Sequence, residues 1–120
     1  MQRAGRDQRV RDRKIDLSLS MTKYYLSFFL FGESQAQTRR ELQERIGCTD
    51  RELRLIVALI RRNSDGDCVL VASNAGYFLT DNPVQIKRWI KRSRAHIRSF
   101  EKELLHAESI LNRQGGRRHE

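Results

Sequence analysis

The chain is poor in the residues that punctuate, staple or anchor a polypeptide. One proline and seven glycines in 120 residues exclude proline-rich linkers and collagen-like repeats. Two cysteines, Cys48 and Cys68, are too few for a disulfide-dense secreted scaffold, and no second Cys or His lies near either at zinc-ligand spacing. His96, His106 and His119 share no helical spacing with one another. No apolar run approaches the roughly 20 residues that cross a bilayer. Glycine-rich phosphate loops and the GxSxG elbow are missing, and the acidic residues are scattered instead of paired. These absences predict no enzymatic activity, no cofactor, no metal, no evident small-molecule ligand and no membrane partner, with a cytoplasmic location.

What is abundant is positive charge, unevenly placed. The net charge is +9, from 24 Lys and Arg against 15 Asp and Glu. Residues 1–20 hold six basic and three acidic residues, residues 21–82 eight of each, and residues 83–120 ten against four. A balanced middle with basic extensions suits a polyanionic partner, because basic extensions release counterions from phosphates.

Four segments follow from composition and periodicity. Residues 1–20 are a basic arm: the stretch to Asp16 has almost nothing to bury, which predicts disorder or a weak helix, and Met21 is a candidate internal start. Residues 21–31, with Leu26, Phe28, Phe29, Leu30 and Phe31, read as a buried helix ended by Gly32. The rival is a secretory signal cleaved after Ser34-Gln35-Ala36, but Lys23 and Ser27 interrupt its apolar stretch and cleavage would discard the aromatic residues. Thr38 with Glu41, and Thr49 with Glu52, are two capping boxes, each opening an amphipathic helix, with Gly47 ending the first. In the second, Leu53, Ile56, Val57 and Ile60 form one apolar stripe. Two capped helices joined by a turn at Gly47-Cys48 have the form of a helix-turn-helix. Residues 68–72 and 77–79 then read as a hairpin around Ser73-Asn74-Ala75-Gly76, and Asp81-Asn82-Pro83 as a helix start.

The last helix, about 83–112, repeats apolar residues in steps of four and three: Ile86, Ile90, Ser93, Ile97, Phe100, Leu104, Ala107, Leu111. That is a heptad seam over three to four heptads. Trp89 lies off the seam and is expected to pack this helix on the folded body. Residues 113–120 are expected to be a flexible tail, whose Gly115-Gly116-Arg117-Arg118 hints weakly at RNA.

The order of TRRELQERIG, TDRELRLIVALIRRN and VLVASNAGYFLTDNPVQI resembles the winged helix-turn-helix proteins of bacteria and their phages, over residues 21–82, with the long helix as an appendage. The resemblance implies a mainly helical α+β fold with a two-stranded wing. It also implies double-stranded DNA as partner, with the second helix of the motif in the major groove. The neutral charge of the body departs from that pattern.

On the 49–63 helix the outward face is expected to carry Asp50, Arg51, Arg54, Ala58, Arg61 and Arg62. Arg51 and Arg54, near its start, are the candidate base readers, because a guanidinium bonds guanine O6 and N7 bidentately. Arg61 and Arg62 reach phosphates at most. Thr49 either caps the helix or meets a phosphate, and Thr38, Arg39 and Arg40 offer a second phosphate site. Ser73 and Asn74 in the wing are candidate backbone contacts. Plain solvated helix faces and an ordinary hairpin loop explain the same residues without DNA. Lys87, Arg88, Lys91, Arg92, Arg94 and Arg98 are either a coiled-coil flank or a phosphate-tracking stripe. The seam residues Ile90, Ile97, Phe100, Leu104 and Leu111 are the candidate dimer contacts, since a few hundred Å² of buried apolar surface, at about 25 cal/mol per Å², gives several kcal/mol. The functional expectation is a homodimeric transcriptional regulator, with half-sites about one helical turn apart or a multiple of it. The alternative is an adaptor that binds a replication, packaging or transcription protein.

Overall fold

The computed structural model describes residues 15–64 and 66–118. Expectations for residues 1–14, His119 and Glu120 fall outside that range. The chain divides into two compact units at the junction of Asp81 and Asn82.

The first unit begins earlier than the arm boundary at residue 20 suggests. Ile15 and Leu17 lie against the core, and Tyr25 donates a hydrogen bond from its hydroxyl to the Asp16 carbonyl at 2.7 Å. A turn of 3₁₀ helix, Leu19–Met21, leads into helix α1, Thr22–Leu26. The expected helix to Phe31 is not there. After five residues the amides of Ser27, Phe28 and Phe29 tighten into turns, and the Ser27 hydroxyl takes the Tyr24 carbonyl. The chain then runs out to pair with the hairpin: Leu79 N–H donates to Leu30 O, and Gly32 N–H donates to Leu79 O, both at 2.8 Å. Extended pairing satisfies the backbone here, so Leu30 and Phe31 remain exposed while Tyr25 and Phe29 enter the core.

Helices α2, Arg39–Ile46, and α3, Asp50–Asn63, carry the two expected capping boxes. Gly47 adopts φ 78° and ψ 47°, the left-handed geometry that ends α2 and turns the chain within three residues. Leu53, Ile56, Val57 and Ile60 face inward as expected. Leu59 joins them and Leu55 does not, so the apolar face is broader than the four-residue stripe.

Strands β1, Val69–Ser73, and β2, Gly76–Thr80, form an antiparallel hairpin with Val69 opposite Thr80 and Ser73 opposite Gly76. The loop is therefore only Asn74-Ala75, since Ser73 and Gly76 are already paired. β2 has neighbours on both sides: Gln37 and Tyr77 exchange backbone hydrogen bonds of 3.0 and 2.8 Å. Leu42, Leu53, Ile56, Ile60 and Leu70, all at most 1% exposed, form the centre of the core beneath this frame.

The second unit is helix α4, Pro83–Arg118. The Asn82 side-chain oxygen accepts from Val84 N–H at 2.9 Å, which caps the helix as its sequence suggests. It does not stop near residue 112. Two glycines cost only about 1 kcal/mol each, and neither takes the left-handed conformation that would end the helix, so it continues through Arg118. Helical structure dominates the described residues, which hold one two-stranded sheet: an α+β arrangement.

Candidate nucleic-acid interface

Thr38 and Thr49 hold matching positions at the starts of α2 and α3. Each hydroxyl oxygen accepts from the backbone N–H three residues on (3.2 Å from Glu41, 3.1 Å from Glu52). Each of those glutamates accepts in return from the threonine N–H at 2.9 Å. Capping thus occupies the acceptor side of both hydroxyls and leaves their protons to donate. The bonds from Thr38 hold the Glu41 carboxyl below the ordinary glutamate value of 4.5. A depressed folded value means the contribution of Glu41 is complete above 4.5 and disappears as pH falls through the folded value. An NMR titration of Glu41 is expected to show a midpoint below 4.5 in the folded chain, rising only part of the way towards the ordinary value in Thr38→Ala, which removes the hydroxyl but keeps the backbone N–H that contributes most.

Asp50 gathers the arginines at this end of the molecule. Its carboxylate lies 2.7 Å from Arg54 on its own helix and 3.5 Å from Arg39 at the start of α2. The Arg39 and Arg54 side chains remain 56% and 66% exposed, so these pairs are worth at most about 1 kcal/mol each. Arg40 and Arg51 are exposed beside them. The pair Asp50–Arg54 has ordinary helical spacing and is visible in sequence; the link to Arg39 depends on the tertiary turn and gives no local signal.

Arg61 does not belong to the outward face. Its Nε donates to the Leu70 carbonyl at 2.8 Å, and its guanidinium lies 6.0 Å from the centre of the Tyr77 ring. Burial pushes its pKa below the usual arginine value, opposed by the charge interaction with Tyr77. It ties α3 to the hairpin. Arg61→Ala is expected to lower stability by about 1–3 kcal/mol in a urea titration. Arg45, which is exposed, donates to the Phe28 carbonyl at 3.0 Å with its guanidinium 5.9 Å from the Phe28 ring centre. Arg62 is exposed.

At the hairpin tip the Ser73 oxygen accepts from Ala75 N–H at 3.1 Å, while Asn74 is exposed. On α4, Lys87, Arg88, Lys91, Arg94 and Arg98 are exposed. Along the seam Ile90 is half-buried, whereas Ile97, Phe100, Leu104 and Leu111 are 46–65% exposed. Cys48 and Cys68 are half-buried thiols. Among the described residues no three His, Cys, Asp or Glu gather as metal ligands, and no helix is long and apolar enough to cross a membrane. Comparison with protein-family models, curated proteins and solved structures returns no match.

Proposed function

We propose that this protein is a winged helix-turn-helix protein that binds double-stranded DNA sequence-selectively, as a homodimer joined through α4, and regulates transcription in a bacterium or phage. The observation that carries the reading is the outer face of α3. Arg51 and Arg54 lie exposed in its first two turns, directly after the Thr49 cap, while Leu53, Ile56, Val57 and Ile60 seal the opposite face. This is the end of a helix-turn-helix that meets base edges. The turn at Gly47 and the hairpin after α3 supply the motif's remaining parts, with segment 30–37 on the free side of β2. Thr38, Arg40, Thr49 and Asn74 would position phosphates around that face. The basic residues of α4 would add affinity without sequence preference.

The test is selection from a random duplex library at fixed salt, using the full chain and the Arg51→Ala/Arg54→Ala variant in parallel. A motif enriched by the parent and lost in the variant supports base reading. Equal enrichment by both, or none by either, overturns it. In the second case, loss of cellular activity on Ile97→Asp, with Arg51 and Arg54 tolerant of change, would mark the protein as an adaptor.

A further inference from the structure

We infer that α4 pairs with α4 of a second copy in the antiparallel direction, registered about a central layer of Ile97 against Phe100. The inference rests on the homodimer proposed above and specifies how its interface is built.

The seam is exposed over its second half and half-buried at Ile86, Ile90 and Ser93. From Ile97 to Leu111 its large apolar residues are exposed on a helix of 36 residues. A row of this kind on a water-facing helix calls for apolar cover. What identifies the cover is the charge along the same helix. Residues 83–98 hold six Lys and Arg and no acid, and the only glutamates of α4 follow at 101, 103 and 108. The helix is basic in its first half, and its three acids all fall in its second, among Lys102, Arg113, Arg117 and Arg118, so its complementarity to its own reverse lies in where the acids stand and not in the net charge of the halves.

The edges of the seam sharpen this. One edge carries Lys87, Arg94, Glu101 and Glu108, all exposed. Reversing the second helix sets each edge against its own counterpart. With Ile97 opposite Phe100, Lys87 then meets Glu108 of the second copy and Arg94 meets Glu101. Two-fold symmetry repeats both, giving four pairs of opposite charge. On the other edge His96 meets Glu103 and Trp89 meets Ile110. In a parallel, in-register pair, Glu103 meets Glu108, Trp89 meets Arg94, and the two basic halves lie side by side.

Side-chain volumes agree. The reversed register places Ser93 against Leu104 and Ala107 against Ile90, a small residue opposite a large one in each layer. The parallel register stacks Ser93 on Ser93 and Ala107 on Ala107, leaving gaps, and crowds Phe100 on Phe100.

The experiment uses the full chain with Cys48→Ser and Cys68→Ser, carrying either Ile90→Cys or Ala107→Cys, under a glutathione buffer. Antiparallel pairing is expected to cross-link the two variants with each other when mixed, and neither with itself. Self-cross-linking of each overturns the orientation and leaves the dimer standing. A dimeric mass in sedimentation with no cross-link of either kind also overturns it. A single-chain mass at tens of micromolar overturns the dimer itself. A second measurement reads the charges: Glu101→Lys with Glu108→Lys should weaken dimerisation at least about tenfold, and adding Lys87→Glu with Arg94→Glu should restore it. A parallel pair predicts the opposite for Glu108→Lys alone, which relieves the contact with Glu103. A tightened dimer in that variant overturns the inference.

Discussion

Gly76→Ala is expected to lower the unfolding free energy by about 3–4 kcal/mol, a large part of the 5–15 kcal/mol typical of a domain. A Cβ at this position would lie 2.2 Å from the Gln37 carbonyl oxygen and 2.6 Å from its carbon. Neither atom can retreat cheaply, because Gln37 exchanges two backbone hydrogen bonds with Tyr77, the next residue along β2. The φ of +124° adds its own penalty for any residue with a Cβ, about 1–2 kcal/mol. The overlap adds about 1–3 kcal/mol more, as overpacking does elsewhere. Gly47→Ala is the internal control. Its φ is +78°, but nothing lies within 4 Å of the added carbon, so only the conformational penalty applies. Urea titrations of the two variants should therefore differ by more than about 1 kcal/mol. Equal losses would mean that Gln37 and the hairpin are not held together as described.

On the proposed reading of α3 as a base-reading helix, Arg51→Ala/Arg54→Ala is expected to weaken binding to a selected duplex by about 2–6 kcal/mol, or roughly 30-fold to more than 10⁴-fold. Both side chains are exposed and away from the core, so the melting temperature should hardly move. Binding to random duplex should fall much less, because the loss is of base contacts and the remaining cations still release counterions. Fluorescence anisotropy at two salt concentrations separates the outcomes. A uniform loss on all sequences, with a shallower salt dependence, would assign the two arginines to phosphates instead of bases.

Much of this architecture was legible in the sequence because the relevant forces are local. Thr38 with Glu41, Thr49 with Glu52, Gly47 and Asn82-Pro83 each settle a helix end within four residues. Alternation and β-branching mark the hairpin. The first segment misled because an aromatic run such as Phe28–Phe31 suits a helix or a strand equally, and the choice is made by the free edge of β2. Gln37 gives no signal at all. It is a polar residue between Ala36 and Thr38, yet it is 6% exposed because the distant Tyr77 claims its backbone. Arg61 shows the same limit at the candidate site. Its spacing puts it beside Arg62 on the water-facing side, and only the position of Leu70 reveals that it turns inward. The exposed arginines Arg51 and Arg54 were readable because nothing from elsewhere in the fold competes for them except Asp50, one turn away from Arg54.

That aspartate bears on what the proposed reading would give a duplex at this end of the protein. On the reading proposed above, Arg54 would come to a duplex already paired, so engagement there would exchange a carboxylate for a neutral base edge. The favourable increment is only the difference between a guanine edge and a carboxylate. Where the base is wrong, the guanidinium would stay on Asp50 at little loss, and the pair would remain closed. On the proposed reading, a resident partner of this kind would lower the gain at the right sequence and soften the loss at a wrong one, so the discrimination left to Arg54 would be smaller than a free guanidinium could give.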